Sequence, residues 1–251
     1  MAVPRLKISI VIPSFNEERR LPNTLERIRA YLAARPFDAE VIVVDDGSTD
    51  GTARVVEEFR ATMPTLRLLS NGSNRGKGYS VRQGMLQARG DMALFTDADL
   101  SAPIEEADKL IGALQYVDVT MGSRALDRSL ISERQSRFRE FAGIVFNKLV
   151  KLTLGLPFVD TQCGFKAFGV GRTRIIFEQQ RVERFGFDPE LLFLAKLHGL
   201  RALEIPVRWS HNPETKVRVG VDSARMFGEL LVIRWNWLLG RYPRRPANAA
   251  R

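Results

Sequence analysis

At 251 residues the chain suits one large α/β domain or two small ones, and its 45% hydrophobic content is that of a protein with a real core. Its net charge of +9 points to an anionic partner such as a nucleic acid, a nucleotide or an acidic membrane surface. The lone cysteine, Cys163, excludes an internal disulfide, and one cysteine with two histidines cannot build a zinc site of the usual kind. The N-terminus leads from Met1 straight into a strand, with no secretory signal. No stretch reaches the roughly 18 uninterrupted apolar residues of a membrane span. Phe141 to Phe158 is broken by Asn147, Lys148 and Lys151, and Met226 to Leu239 by Glu229, Arg234 and Asn236.

Lys7 to Pro13 is a β-branched run and predicts the first central strand. Pro13-Ser14-Phe15-Asn16-Glu17 ends it, and Leu21, Leu25, Ile28 and Leu32 then repeat at helical spacing. This strand–turn–helix lacks Gly-x-Gly-x-x-Gly, which argues against a dinucleotide fold. Glu40 to Val44 predicts a second strand, ending in Asp45-Asp46, with Asp50 placed to cap the next helix. Leu66 to Leu69 predicts a third. The glycine-rich loop Asn71 to Gly78 then opens a helix through Val81, Met85 and Ala88. It is not a Walker A loop, because the glycine spacing is one residue short and Gly78 stands where Ser or Thr would hold magnesium. It reads as an anion site served by Arg75, Lys77 and free backbone N–H groups, or as a solvated basic turn.

Met92 to Phe95 predicts a buried strand running into Asp97-Ala98-Asp99. Ligands of open α/β sheets bind beyond the carboxyl ends of strands. Two carboxylates held together there repel, and a hard divalent cation relieves them. The alternative is that both acids cap a turn and the following helix, predicted over 104–115. Val117 to Met121 predicts another strand, ending in Gly122-Ser123-Arg124. Strands alternating with helices imply one mostly parallel sheet flanked by helices, with acids, glycines and arginine gathered at one edge.

Residues 130–158 differ in character. Phe138, Phe141, Ala142, Val145, Leu149 and Leu152 recur at helical steps among arginines and lysines, with Ile144 and Phe146 widening the apolar face. Such a basic amphipathic helix either lies in a membrane interface or packs on the domain's own core. Asp160 to Phe168 reads as a loop entering a strand, with Cys163 an inert buried thiol. Asp188-Pro189 reads as a helix N-cap and first turn. A strand over Ala202 to Arg208, a polar loop over Trp209 to Lys216 and an amphipathic helix over Ser223 to Leu239 follow, with Trp235 and Trp237 suited to a lipid boundary or to the core. The tail from Tyr242 reads as disordered.

Taken in order, these motifs resemble family 2 inverting glycosyltransferases of the GT-A fold, and among them the polyprenyl- or dolichyl-phosphate hexosyltransferases. The resemblance runs from Ile8 to Lys216. Pro13 to Glu17, Val43 to Asp50 and Asp97-Ala98-Asp99 are general to the superfamily. Gly122-Ser123-Arg124 and Asp160 to Lys166 point to the lipid-phosphate branch. The latter, with Trp209 and Thr215-Lys216, looks most like dolichyl-phosphate glucosyltransferases using UDP-glucose, with GDP-mannose as the next donor and a non-lipid acceptor as a further alternative.

The resemblance implies a single catalytic domain over 1–220, with 221–251 a C-terminal helix and tail. It implies that Pro13, Phe15, Glu17 and Asp46 hold the nucleotide, with Lys77 near its base or phosphates. Asp97 and Ala98 would contact the donor, and Asp99 would ligate Mg²⁺ or Mn²⁺ on the diphosphate. Asp160 and Gln162 would sit by the acceptor and the sugar, and Arg124, Arg134 and Lys216 would bind the acceptor phosphate. Ser101 departs from the glutamine that helps ligate metal in mannosyl relatives. The C-terminal transmembrane helices of many bacterial relatives are absent, which implies a protein peripheral on the cytoplasmic face of a membrane, or one with a membrane-anchored partner. No Gln-x-x-Arg-Trp segment of processive synthases is present. The basic residues lie beside apolar ones rather than around an aromatic stacking platform, so no nucleic-acid partner is expected.

Overall fold

A computed structural model of the chain describes residues 5–212 and 219–243, without the side chains of 219–222. Its centre is a seven-stranded sheet in the order β3-β2-β1-β4-β7-β5-β8. The strands are β1 (Leu6–Ser14), β2 (Phe37–Asp45), β3 (Leu66–Ser70), β4 (Met92–Thr96), β5 (Val119–Ser123), β7 (Phe165–Gly169) and β8 (Ala202–Pro206). β6 (Ile131–Glu133) and β9 (Trp209–Ser210) form a separate parallel pair. All ladders of the large sheet are parallel except those of β7, which runs antiparallel between β4 and β5.

The helices are α1 (Leu21–Ala33), α2 (Thr52–Arg60), α3 (Lys77–Gln87), α4 (Ala107–Ala113), α5 (Arg137–Leu154), α6 (Val170–Gln179), α7 (Phe187–Leu197) and α8 (Val219–Leu238). They cover both faces of the sheet. Successive strand residues therefore alternate between two cores: Ile10, Ile12, Val41 and Val43 face α1, α2 and α4, while Val11, Ile42, Val44 and Phe95 face α3, α6 and α7. A strand buried on both faces has no polar positions to alternate, which is why these segments read as unbroken apolar runs.

The chain passes from β1 outward to β2 and β3, then returns to place β4 on the other side of β1. This reversal opens a crevice at the carboxyl ends of β1 and β4. The antiparallel course of β7 brings the loop preceding it, Asp160 to Gly164, to that same edge.

Several local expectations are corrected. Asp50 is not the N-cap of α2. Gly51 holds that position, and Asp50 accepts from the Thr52 N–H at 3.0 Å and the Glu18 N–H at 3.1 Å. The strand predicted over Val117–Met121 starts two residues later, at Val119, and the Asp118 carboxylate before it accepts from the Arg201 N–H at 2.8 Å and pairs with Arg172 at 2.6 Å. The helix predicted over 104–115 is a single 3₁₀ turn over Ile104–Glu106 followed by the short α4. The expected boundary at 220/221 falls inside α8, whose Leu230 and Ile233 belong to the same core as α5 and α7. Tyr242 is not part of a loose tail: it is buried and donates to Glu190 at 2.5 Å. The remainder of that expected tail, from residue 244, lies outside the described residues.

On α5 the buried residues are Phe146, Val150 and Leu154, while Phe138, Phe141, Ile144, Val145 and Leu152 are exposed. Phe146 therefore belongs to the core rather than to the exposed apolar face. On α8, Trp237 packs edge-to-face on Phe193, whereas Trp235 is exposed.

Candidate active site

A cleft of about 640 Å³ lies at the crevice, within the size range of small-molecule sites. Pro13, Phe15 and Glu17 line it from the end of β1, Asp46 from the end of β2, and Asp97, Ala98 and Asp99 from the end of β4. Lys77, at the start of α3, reaches the same space. Asn16 and Leu100 carry positive φ values of 53° and 47° in the turns that leave β1 and β4. A left-handed leucine costs of order 1–3 kcal/mol, and such strain concentrates at functional turns. Here the turn, closed by the Leu100 N–H on the Asp97 carbonyl at 3.1 Å, sets both carboxylates beside the cleft.

Asp46 and Glu17 are already engaged by the protein. The buried Asp46 carboxylate accepts from the backbone N–H groups of Arg75 (3.0 Å) and Gly76 (2.7 Å) and from the Asn71 amide (2.8 Å). The glycine loop thus spends its amides on an anion of the protein itself. Arg75 turns away to pair with Glu183 at 2.6 Å and to stack on Tyr79. The anion site expected from this loop reduces to Lys77. Glu17 accepts both arms of the Arg20 guanidinium at 2.6 Å.

Lys77 Nζ pairs with Asp97 Oδ1 at 2.5 Å. Burial works against the Lys77 ammonium, but Asp97, Asp188 and Asp99 outweigh it and raise its pKa. The Asp99 carboxyl is pushed up by burial and by the charge of Asp97, while one of its oxygens accepts from the Ser101 N–H at 3.0 Å. Asp99 thus shapes the turn, but neither acid caps the following helical turn, whose N-cap is Pro103. Gly164 leaves room for Asp97, since a Cβ there would collide with its carboxylate.

A second cavity of about 270 Å³ lies against the same acids, lined by Lys77, Asp97, Asp99, Arg124, Arg139 and His211 among others. Asp160 holds Arg124 by a two-pronged pair, Nε–Oδ2 at 2.7 Å and Nη2–Oδ1 at 2.8 Å, and also accepts the Arg124 N–H. Burial opposes both charges, but their attraction raises the Arg124 pKa and lowers that of Asp160. Burial pushes the Cys163 thiol up to about 12, so it is inert, as expected.

The acid pair suits a divalent cation. Among the described residues no cluster of three or more His, Cys, Asp or Glu side chains would cage a metal unaided. A partly buried carboxylate beside the cleft fits a cation that takes most of its oxygens from elsewhere, such as substrate phosphates.

The glycosyl transferase family 2 profile matches residues 9–170, which include the ends of β1, β2, β4 and β5 and the loop before β7. The chain belongs to this family. Among its relatives are the dolichyl-phosphate beta-glucosyltransferases of Drosophila melanogaster (38% identical over 95% of this chain and 78% of that one) and Homo sapiens (34%, 95% and 78%). That of Trichomonas vaginalis is 36% identical over 84% of this chain and 66% of its own length. The crystal structure of glucosyl-3-phosphoglycerate synthase from Mycobacterium tuberculosis in complex with Mn²⁺, UDP and glucosyl-3-phosphoglycerate superposes with a TM-score of 0.63 at 21% identity, over 96% of this chain and 82% of that one. That likeness shows the fold, and the glycosyltransferase is a single GT-A α/β domain.

Of the residues singled out in the glycosyltransferase's sequence, Pro13, Phe15, Glu17, Asp46, Lys77, Asp97, Ala98 and Asp99 share the first cleft. Arg124 and Gln162 join Lys77 and the two acids at the second cavity, and Asp160 stands behind Arg124. Arg134 is exposed and lines neither space; Gln135 and Arg139 line the second. Lys216 lies outside the described residues. Asp188 is the chief residue missed. It is not an N-cap, which is Gly186; it is buried, borders the second cavity and pairs at 2.5 Å with Lys166, itself fully buried. Burial pushes the Asp188 carboxyl up against the pull of Lys166 and Lys77. A buried lysine near the start of β7 requires such a partner, and the apolar neighbours of Lys166 were the available clue.

Proposed function

We propose that the protein transfers glucose from UDP-glucose, with inversion, to the phosphate of a polyprenyl or dolichyl phosphate. The observation that carries this reading is the Lys77–Asp97–Asp99 cluster, which forms a wall of both cavities at once. A donor diphosphate in the first cleft and an anionic acceptor in the second would meet there. The names of the relatives at 34–38% identity support the lipid-phosphate acceptor and the glucosyl group.

The acceptor is a phosphate monoester, ionised at neutral pH, and needs little help from a general base. Its oxygen attacks the anomeric carbon, and the bond to the nucleoside diphosphate breaks on the opposite side. The Lys77 ammonium, kept protonated by the surrounding acids, stabilises the charge that grows on the leaving diphosphate. Arg124 orients the acceptor phosphate, and Asp160 holds its guanidinium in place beforehand, so little reorganisation accompanies reaction. Asp97 fixes Lys77. A divalent cation, Mg²⁺ or Mn²⁺, held by Asp99 would offset diphosphate charge.

No helix among the described residues is long and apolar enough to cross a membrane. The exposed aromatic and aliphatic side chains of α5 and α8, with Lys148, Lys151 and Arg234 beside them, suit the interface of an anionic membrane, on its cytoplasmic face. The test is incubation of purified protein with a divalent cation, a short polyprenyl phosphate and either UDP-glucose or GDP-mannose, followed by mass spectrometry of the lipid. A hexosyl-phospholipid from UDP-glucose alone is expected. Product from GDP-mannose alone reassigns the donor, and no lipid product from either overturns the acceptor.

A further inference from the structure

Glu204 is the only acid in β8, the strand at one edge of the large sheet. It stands in register with Met121 of β5, yet its carboxylate reaches two residues further along β5, toward the carboxyl end of the sheet. There Oε1 accepts from the Ser123 hydroxyl at 2.7 Å and from the Asp160 N–H at 2.6 Å, and Oε2 accepts from the Val159 N–H at 2.9 Å. All three donors are uncharged, so this is not an ion pair. The Ser123 hydroxyl in turn accepts from the N–H groups of Ala125 and Leu126, both at 3.3 Å.

One carboxylate thus holds both segments that carry the Arg124–Asp160 pair: the end of β5 with the turn that follows Arg124, and the backbone of Asp160 itself. Val159 and Asp160 precede β7, so their N–H groups have no strand partner, and with Asp160 buried the acceptor has to come from a side chain. The carbonyl side of the same loop is held from α5. Asn147 Nδ2 donates to the Phe158 and Val159 carbonyls at 3.0 and 2.8 Å, and Asn147 Oδ1 accepts from the Thr161 hydroxyl at 3.2 Å. A glutamate offers an acceptor oxygen to each of the two N–H groups, whereas a glutamine would turn an amide donor toward one of them. The two-pronged pairing orients the guanidinium relative to Asp160 alone; Glu204 fixes the pair relative to the sheet.

We infer that Glu204 is a positioning residue for the acceptor phosphate, setting Arg124 in place through Ser123 and the backbone of Val159 and Asp160. This rests on the acceptor-binding role proposed above for Arg124. Glu204 lines neither the donor cleft nor the second cavity, so its influence on an acceptor passes through Arg124. Asn147 and β7 still hold the loop when Glu204 is replaced, so the loss loosens the pair without unfolding the stretch.

The test compares Glu204→Gln and Glu204→Leu in the wild-type and in an Arg124→Lys background, using UDP-glucose, a divalent cation and a short polyprenyl phosphate, with urea unfolding of each. A misplacement of about 1 Å at a reacting site costs about 10²-fold in rate. Glu204→Leu is expected to lower kcat/KM for polyprenyl phosphate by about 10²-fold, and Glu204→Gln, which keeps one acceptor oxygen, by about tenfold. The Kd for UDP stays at its wild-type value. A lysine at position 124 cannot make the two-pronged pairing, so in that background either change at Glu204 is expected to cost little more, because residues that act through one another are not additive. Glu204→Gln keeps the shape of the side chain and decides the matter where Glu204→Leu does not fold. A folded Glu204→Gln protein with wild-type kcat/KM for polyprenyl phosphate overturns the inference. So does a matching loss of UDP affinity, or an equal loss in both backgrounds, either of which marks a merely structural role; all three leave the proposed function intact. A wild type that glycosylates no polyprenyl phosphate overturns both.

Discussion

Replacing Lys166 by methionine is the sharpest probe of the charge network beneath the site. The substitution keeps the length of the stem and removes the ammonium, which donates to Asp188 Oδ1 at 2.5 Å and to the Cys163 carbonyl at 2.6 Å. Asp188 is then left as a buried carboxylate without its partner. Removing one member of a buried ion pair costs about 3–5 kcal/mol, a large part of the roughly 5–15 kcal/mol that separates a folded protein from its unfolded chain. With a urea m-value of about 3 kcal/mol/M, the midpoint falls by about 1–1.7 M. Two controls isolate the cause. The double variant Lys166→Met/Asp188→Leu is expected to recover most of the loss, because replacing both partners by apolar side chains is close to neutral. The single variant is expected to regain stability as pH falls, because a protonated Asp188 no longer needs a cation. A midpoint shift under about 0.3 M, or a double variant no more stable than the single one, refutes the reasoning.

Three further outcomes follow from the site and its surroundings. Asp99→Asn removes a carboxylate that burial and Asp97 already disfavour, so the variant is expected to fold as well as wild type while turnover drops by roughly 10²–10³-fold; near-normal turnover would remove Asp99 from the reaction. Arg124 lowers the pKa of buried Asp160 against the opposing effect of burial, so the stability from this pair is complete above the unfolded aspartate value of about 3.9 and is lost as pH falls through the depressed value. The urea-midpoint gap between wild type and Arg124→Ala is therefore expected to be widest at neutral pH and to close as the pH falls below the unfolded aspartate value, and a constant gap would contradict the pairing. Phe141 and Trp235 are 65% and 61% exposed, so Phe141→Ser with Trp235→Ser is expected to leave stability unchanged and to weaken co-sedimentation with anionic vesicles about tenfold or more; equal sedimentation of wild type and variant would move the membrane contact elsewhere.

The strands were legible because both their faces are buried. Val41 to Val44 has no solvent side, so its apolar run marks a strand wherever it is read, and Asp45-Asp46 marks where it ends. The candidate site was legible in the same way, since Phe15, Asp46, Asp97 and Arg124 each follow a strand that stops. What escaped depends on partners distant in the chain. Asp188-Pro189 has the local chemistry of a helix start, and only Lys166, 22 residues earlier, shows that the carboxylate points inward instead. The loop Asn71 to Gly78 has the glycines and cations of an anion site, yet its ligand is Asp46, from another strand. The antiparallel course of β7 left no local mark either, because Phe165 to Gly169 is buried like its parallel neighbours.

The loop between α5 and β7 sets a constraint on how such a protein can change its substrates. Asp160 holds Arg124 at the second cavity, and Gly164, four positions on, makes room for Asp97, which lines both cavities. Lys166 ties the same loop down through the Cys163 carbonyl. A displacement of this short stretch moves residues of both cavities together. On the proposed reading, new acceptors or donors would be reached more readily from the far walls, α5 on one side and the ends of β1 and β2 on the other. The stretch common to both is the part with the least freedom to vary.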